Sequence, residues 1–201
     1  MFLSDVDIKE ALERDEITLD PFEEARLQPA SYDILLGNKF IENDASSTHF
    51  VDPARKIYAK TTEKMIDDGE QFILHPGVSV LGLSKEFFGS DHYLIQVGGK
   101  SSLARVGLMI HNTAGIINPG HFLHITFEIT NQSNIPIILR PGMEIAQITF
   151  SKLSSPPRQN YSKVGRFAKD NWKHFVPAKA KKTAKNAANA KRSTSRNGKV
   201  Q

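Results

Sequence analysis

Residues 98–128 read GGKSSLARVGLMIHNTAGIINPGHFLHITFE and gather side chains whose types and spacing could do chemistry. Gly98 and Gly99 leave backbone amides bare. Lys100, Ser101 and Ser102 add a cation and two hydroxyls, a combination suited to an oxyanion such as phosphate. Arg105, four residues past Ser101, contributes a planar fork of donors. Glu128 is the only acid between Asp91 and Glu144, so acid–base chemistry in this segment falls to it. Each residue also has an ordinary reading: a Ser-Ser pair caps turns, and a lone Arg or Glu sits on a solvated face.

The elements that must hold these residues read as β. FILHPGVSVLGL, YLIQVGG, HFLHITFEITN, IPIIL and EIAQITF are short runs rich in Ile, Val, Phe and Thr, as strands are. Between them, His75-Pro76-Gly77, Asn118-Pro119-Gly120 and Arg140-Pro141-Gly142 form turns, with Pro presetting φ and Gly free to take positive φ. In HITFEIT the apolar Ile125, Phe127 and Ile129 alternate with His124, Thr126 and Glu128, so the core face is opposite the acid. Such a cadence predicts a barrel or jelly roll. Upstream, Ser4 caps a helix over residues 4–12 with Ile8, Ala11 and Leu12 on its apolar face. LQPASYDILLG reads as an extended segment ended by Gly37, and residues 41–69 as a polar, irregular excursion with weak strands.

Composition narrows the chemistry. A chain of 201 residues suits one domain with trimmings, divided here into a body over 1–155, an arm over 156–177 and a tail over 178–201. Cysteine is absent, which excludes disulfides, thiolate nucleophiles and the Cys-based zinc sites of zinc nucleobase deaminases. The His residues show no ligand-spaced pair, so no protein-bound zinc is expected. No apolar run approaches the ~18 residues of a membrane span, and a soluble cytoplasmic protein is the expectation. The tail carries eight Lys or Arg and no acid, so the remaining 18 basic and 22 acidic residues leave the body near −4 despite a net +4. An anionic ligand must therefore be gripped by local donors. The low-complexity tail is expected to be disordered, and to make at most non-specific contact with nucleic acid.

Taken together, GKSSLARVGLM, HNTAG, NPG and ITFE at these spacings resemble the dCTP deaminase branch of the dUTPase-like family. LSDVDIKEAL, LQPASYDILLGNKF, FILHPG and ILRPGMEIAQITF extend the resemblance over most of residues 1–155. It implies a mainly β, distorted jelly-roll barrel, a homotrimer with active sites shared between subunits, and zinc-independent deamination of dCTP to dUTP and ammonia. Mg²⁺ would travel with the triphosphate. By resemblance Glu128 activates the water that attacks carbon 4 of cytosine, Arg105 lies against that carboxylate, and Ser101 and the Ala114 backbone bind the water. Lys100, Ser102 and Ser101 face phosphate, Tyr161 matches an arm tyrosine that closes over the nucleotide, and Lys169 matches an arm lysine.

Asn118 departs from the pattern, where relatives carry Asp against the deoxyribose 3′-hydroxyl. An amide can still bond a hydroxyl but cannot serve as a base, so dUTP is the expected end product. Ile116 and His121 also differ from some monofunctional members, whereas the Thr113-Ala114-Gly115 turn looks like the branch that continues to dUMP. Alternatives are that bifunctional deaminase–diphosphatase, a dUTPase, and a non-catalytic nucleotide-binding regulator. Retention of Lys100, Ser101, Arg105 and Glu128 argues against the last.

Overall fold

In the computed structural model, which describes residues 1–55 and 57–165, the first helix begins where its cap does. Ser4 Oγ accepts from the Asp7 amide and Asp7 Oδ2 accepts from the Ser4 amide, a reciprocal capping box. It starts α1 (Asp5–Glu13), which buries Ile8 and Ala11. Lys169 and the basic tail lie outside the described residues.

The rest is mainly strand. Chain order runs β1 (Thr18–Asp20), β2 (Leu27–Gln28), β3 (Ser31–Asn43), β4 (Thr61–Met65), β5 (Phe72–Leu74), β6 (Ser79–Gly89) and β7 (Tyr93–Gly99). Then follow α2 (Ser101–Ala104), β8 (Leu108–Met109), β9 (Ile116–Ile117), β10 (Leu123–Asn131), β11 (Ile137–Leu139), β12 (Glu144–Lys152) and α3 (Tyr161–Val164). Ten strands make one sheet in the order β8–β10–β6–β3–β12–β7–β9, with β1 beside β6 and β2 and β4 beside β3. β5 and β11 form a separate ribbon. This is the expected distorted jelly roll, curled round Tyr32, Leu36, Phe40, Phe88, Phe127 and Phe150, all buried. Each such side chain contributes about 1.5–3 kcal/mol relative to exposure. The three Pro-Gly turns hold Gly77, Gly120 and Gly142 at φ of +74°, +85° and +83°.

One expectation is corrected. Gly37 does not end its strand: β3 runs on to Asn43, with a register shift against β6 between Leu36 and Phe40. A Cβ at Gly37 would lie 2.8 Å from the Leu83 carbonyl oxygen, so the glycine marks a close backbone approach inside the sheet. The excursion over 41–69 contains the weak strand expected there: β4 returns antiparallel along β3 with Lys39 opposite Met65 and Asn43 opposite Thr61. β4 is exposed over most of its length, so an apolar alternation is missing from the sequence there.

A buried ion pair anchors the start of β3. Arg26 and Glu86 bond to each other at 4% and 0% exposure, Glu86 Oε2 accepts from the Leu35 amide, and Arg26 Nη1 donates to the Asp33 carbonyl. Removing one partner would strand a buried charge, at about 3–5 kcal/mol. The pair thus ties the backbone beneath Asp33 to β6.

Candidate active site

Glu128 projects from the middle of β10, opposite Leu81 of β6. Its neighbours Phe127 and Ile129 are buried at 1% and 0% exposure, which turns the carboxylate to the other face. The chain crossing in front of it supplies a fixed donor: the Asn112 amide bonds Glu128 Oε2 at 2.9 Å, while the Glu128 amide bonds the Ile110 carbonyl at 3.1 Å. One carboxylate oxygen is thereby held, and among the described residues the other has no hydrogen-bond partner.

The carboxylate opens into a cavity of about 390 Å³ whose lining includes His111, Ala114, Asn118, His121 and Tyr161. Ala114 and Asn118 arrive there because the turn between them is pinned to β7. The Val97 amide bonds the Gly115 carbonyl at 2.8 Å, and β9 pairs with β7 through Ile117 and Ile95. Leu81, Val97, Ile117 and Leu123 give the cavity an apolar wall. His111 was not singled out from sequence. Its Nδ1 is buried without a hydrogen bond, and the only signal was its place beside the Thr-Ala-Gly turn.

The Gly-Lys-Ser-Ser segment forms a second, more open groove of about 490 Å³, lined by Lys100, Ser101, Ser102, Asp33, Glu144 and Gln147 among others. Lys100 precedes α2, and its ammonium sits 2.6 Å from both Asp33 Oδ2 and Glu144 Oε2. Partial burial pulls the lysine pKa down, but the bonds to Asp33 and Glu144 outweigh it and hold the group above its ordinary value. Sequence reasoning missed both carboxylates, since Asp33 sits in an otherwise apolar strand and Glu144 opens another. Arg105 caps α2 on the surface, with no ion pair or hydrogen bond from its side chain among the described residues.

The predicted residues therefore separate. Glu128, Ala114, Asn118 and Tyr161 share one cavity; Lys100, Ser101 and Ser102 share another; neither lining includes Arg105. Among the described residues no helix is long and apolar enough to cross a membrane.

The crystal structure of 2′-deoxycytidine 5′-triphosphate deaminase from Agrobacterium tumefaciens shares the fold, with a TM-score of 0.55 at 20% identity over 74% of this chain and 46% of that one. A dUMP-forming dCTP deaminase of Corynebacterium jeikeium is 43% identical over 163 residues, 80% of this chain and 86% of the relative. One from Mycobacterium leprae is 41% identical over 171 residues, 84% and 90% respectively. Residues 2–153 match the family model described as dCTP deaminase-like, and with relatives of this identity and coverage the chain belongs to the dCTP deaminase-like family.

Proposed function

We propose that this protein converts dCTP, bound as its Mg²⁺ complex, to dUMP, ammonia and diphosphate. The observation that carries the deamination step is the Glu128 carboxylate, held at one oxygen by the Asn112 amide and open at the other, facing a cavity that also contains Ala114 and Asn118. A water placed there adds to carbon 4 of the cytosine ring. Glu128 takes a proton from the water and delivers it to the departing nitrogen; the carbon–nitrogen bond breaks, the water's second proton ends on N3 of the ring as the carbonyl forms, and ammonia leaves. Oriented proton transfer of this kind supplies roughly 10²–10⁴-fold, and positioning the water supplies much of the rest.

The products beyond ammonia are read from the relatives. Those matching four fifths of the chain are named as dUMP-forming, which favours dUMP over the dUTP expected from Asn118. Asn118 lines the cavity, so its amide can orient a hydroxyl or a water by hydrogen bonding while carrying no charge. Lys100, Ser101 and Ser102 take the phosphates, and the triphosphate competes with Asp33 and Glu144 for the lysine. Arg105 and Ser101 meet Glu128 across the boundary between chains of a homotrimer, which is why neither joins the Glu128 cavity within one chain. Incubating the protein with dCTP and Mg²⁺ and resolving dCTP, dUTP, dUMP, diphosphate and ammonia tests the reading. Accumulation of dUTP that is never consumed would restore the single-step deaminase; no ammonia would remove the enzyme.

A further inference from the structure

Among the described residues, Asn160 and Tyr161 of the arm are fastened to a lip beside the cavity. Two turns form that lip. The first, at residues 90–92, is fixed by Ser90, whose Oγ donates to the Glu16 carbonyl at 2.6 Å and accepts from the His92 and Tyr93 amides at 2.9 and 3.0 Å. The second is the Pro119-Gly120 turn, joined to the first by a bond of 2.8 Å from the Gly120 amide to the Ser90 carbonyl. Neither set of contacts involves the arm.

The arm meets this lip at three points. Asn160 Nδ2 donates to Asp91 Oδ1 at 2.7 Å, the Tyr161 amide donates to the Pro119 carbonyl at 3.1 Å, and the Tyr161 ring stacks on His121 with centroids 4.4 Å apart. Asn160 does two jobs at once, because its Oδ1 also accepts from the Ser162 amide at 2.9 Å and so caps α3. Its fit is tight. A Cβ on Gly120 would fall 1.7 Å from Asn160 Oδ1, so the absent side chain at Gly120 leaves the space that the amide fills. His121 and Tyr161 both line the Glu128 cavity.

We propose that Asn160 and Asp91 form a latch that positions Tyr161 over the nucleotide, making Asn160 a positioning residue that sets the closed fraction of the arm. The latch rests on the reading of the Glu128 cavity as the nucleotide site. Asp91 supplies a charge-assisted acceptor, and the capping bond prepays part of the ordering of α3. Substrate affinity then depends on a contact that touches no substrate atom, since binding to a partly closed site is weakened by the open fraction.

An exchange of the two side chains tests this in the full chain, using Asn160→Asp, Asp91→Asn and the double variant. Asn160→Asp keeps the α3 cap but sets two carboxylates face to face. Amide hydrogen exchange at Tyr161 in the nucleotide-free protein should accelerate about tenfold and KM for dCTP should rise about tenfold, with kcat changed less than about twofold. The double variant restores a donor at 91 and an acceptor at 160, and should return both readings to near wild type. Wild-type exchange and KM in Asn160→Asp, or a double variant as impaired as Asn160→Asp, would overturn the latch. Exchange is read without nucleotide, so a wild type that fails to turn over dCTP would defeat the proposed function and leave this test standing.

Discussion

The Glu128 cavity and the Lys100 groove solve opposite electrostatic problems. Glu128 stands against an apolar wall with one oxygen tied to a backbone amide and no cation beside it among the described residues. Lys100 is clasped between two carboxylates in an open polar groove. A base that must accept and return a proton is best left without a permanent counter-charge. A phosphate-binding cation tolerates one, because an arriving triphosphate can take its place. Within one chain the two lie in separate cavities, so Lys100 does not neutralise Glu128.

That contrast is broken most severely by Glu128→Gln, which keeps the shape and cannot accept the proton. Ammonia release should fall by about 10²–10⁴-fold while dCTP affinity stays within several-fold. A variant releasing ammonia at a comparable rate would mean that the base is elsewhere. Arg105→Ala should likewise lose mainly turnover. If the site is shared, mixing the inactive Glu128→Gln and Arg105→Ala chains under subunit exchange should recover activity, because some sites then draw both intact residues from different chains. Failure of the mixture to recover, with exchange verified, would place both residues in one chain's site.

Smaller effects sharpen the second half of the comparison. Lys100→Ala should raise KM for dCTP roughly tenfold with little change in kcat, since it removes a charge-assisted contact to phosphate alone. A loss of kcat without a change in KM would give Lys100 a part in the chemistry. Asn118→Asp should raise diphosphate release by a few-fold at most, as measured from the dUMP to dUTP ratio, because it restores a charged acceptor beside the sugar. Truncation after Pro177 should leave deamination unchanged. If the tail binds nucleic acid it should do so through charge, with a log–log salt slope near −0.9 per phosphate neutralised, and the truncated chain should lose that retention.

Much of the site could be read from local pattern. The alternation Ile125-Phe127-Ile129 against Thr126-Glu128 states which way the acid faces, because successive strand residues point to opposite sides whatever the strand pairs with. Ser4 announces the start of α1 for the same reason: a cap is satisfied within a few residues. The Pro-Gly turns also appear where they were expected.

What required tertiary structure was every fact that depends on a distant partner. Gly37 looked like a strand end because its reason for being glycine, the Leu83 carbonyl pressed against it, lies on another strand. β4 lacked an apolar signature because it is exposed over most of its length, so only the observed pairing with β3 reveals it. Lys100 read as a free cation until β3 and β12 brought Asp33 and Glu144 to its ammonium. Tyr161 carried a family expectation and Gly120 a turn expectation, but Asn160 and Asp91 carried none. Their fit arises where three chain segments converge, and residue spacing along one segment holds no record of such a convergence. Sequence alone determined the faces, caps and turns of this protein; the separation of Glu128 from Lys100, and the lip on which Asn160 and Tyr161 rest, were decided by how those pieces pair in space.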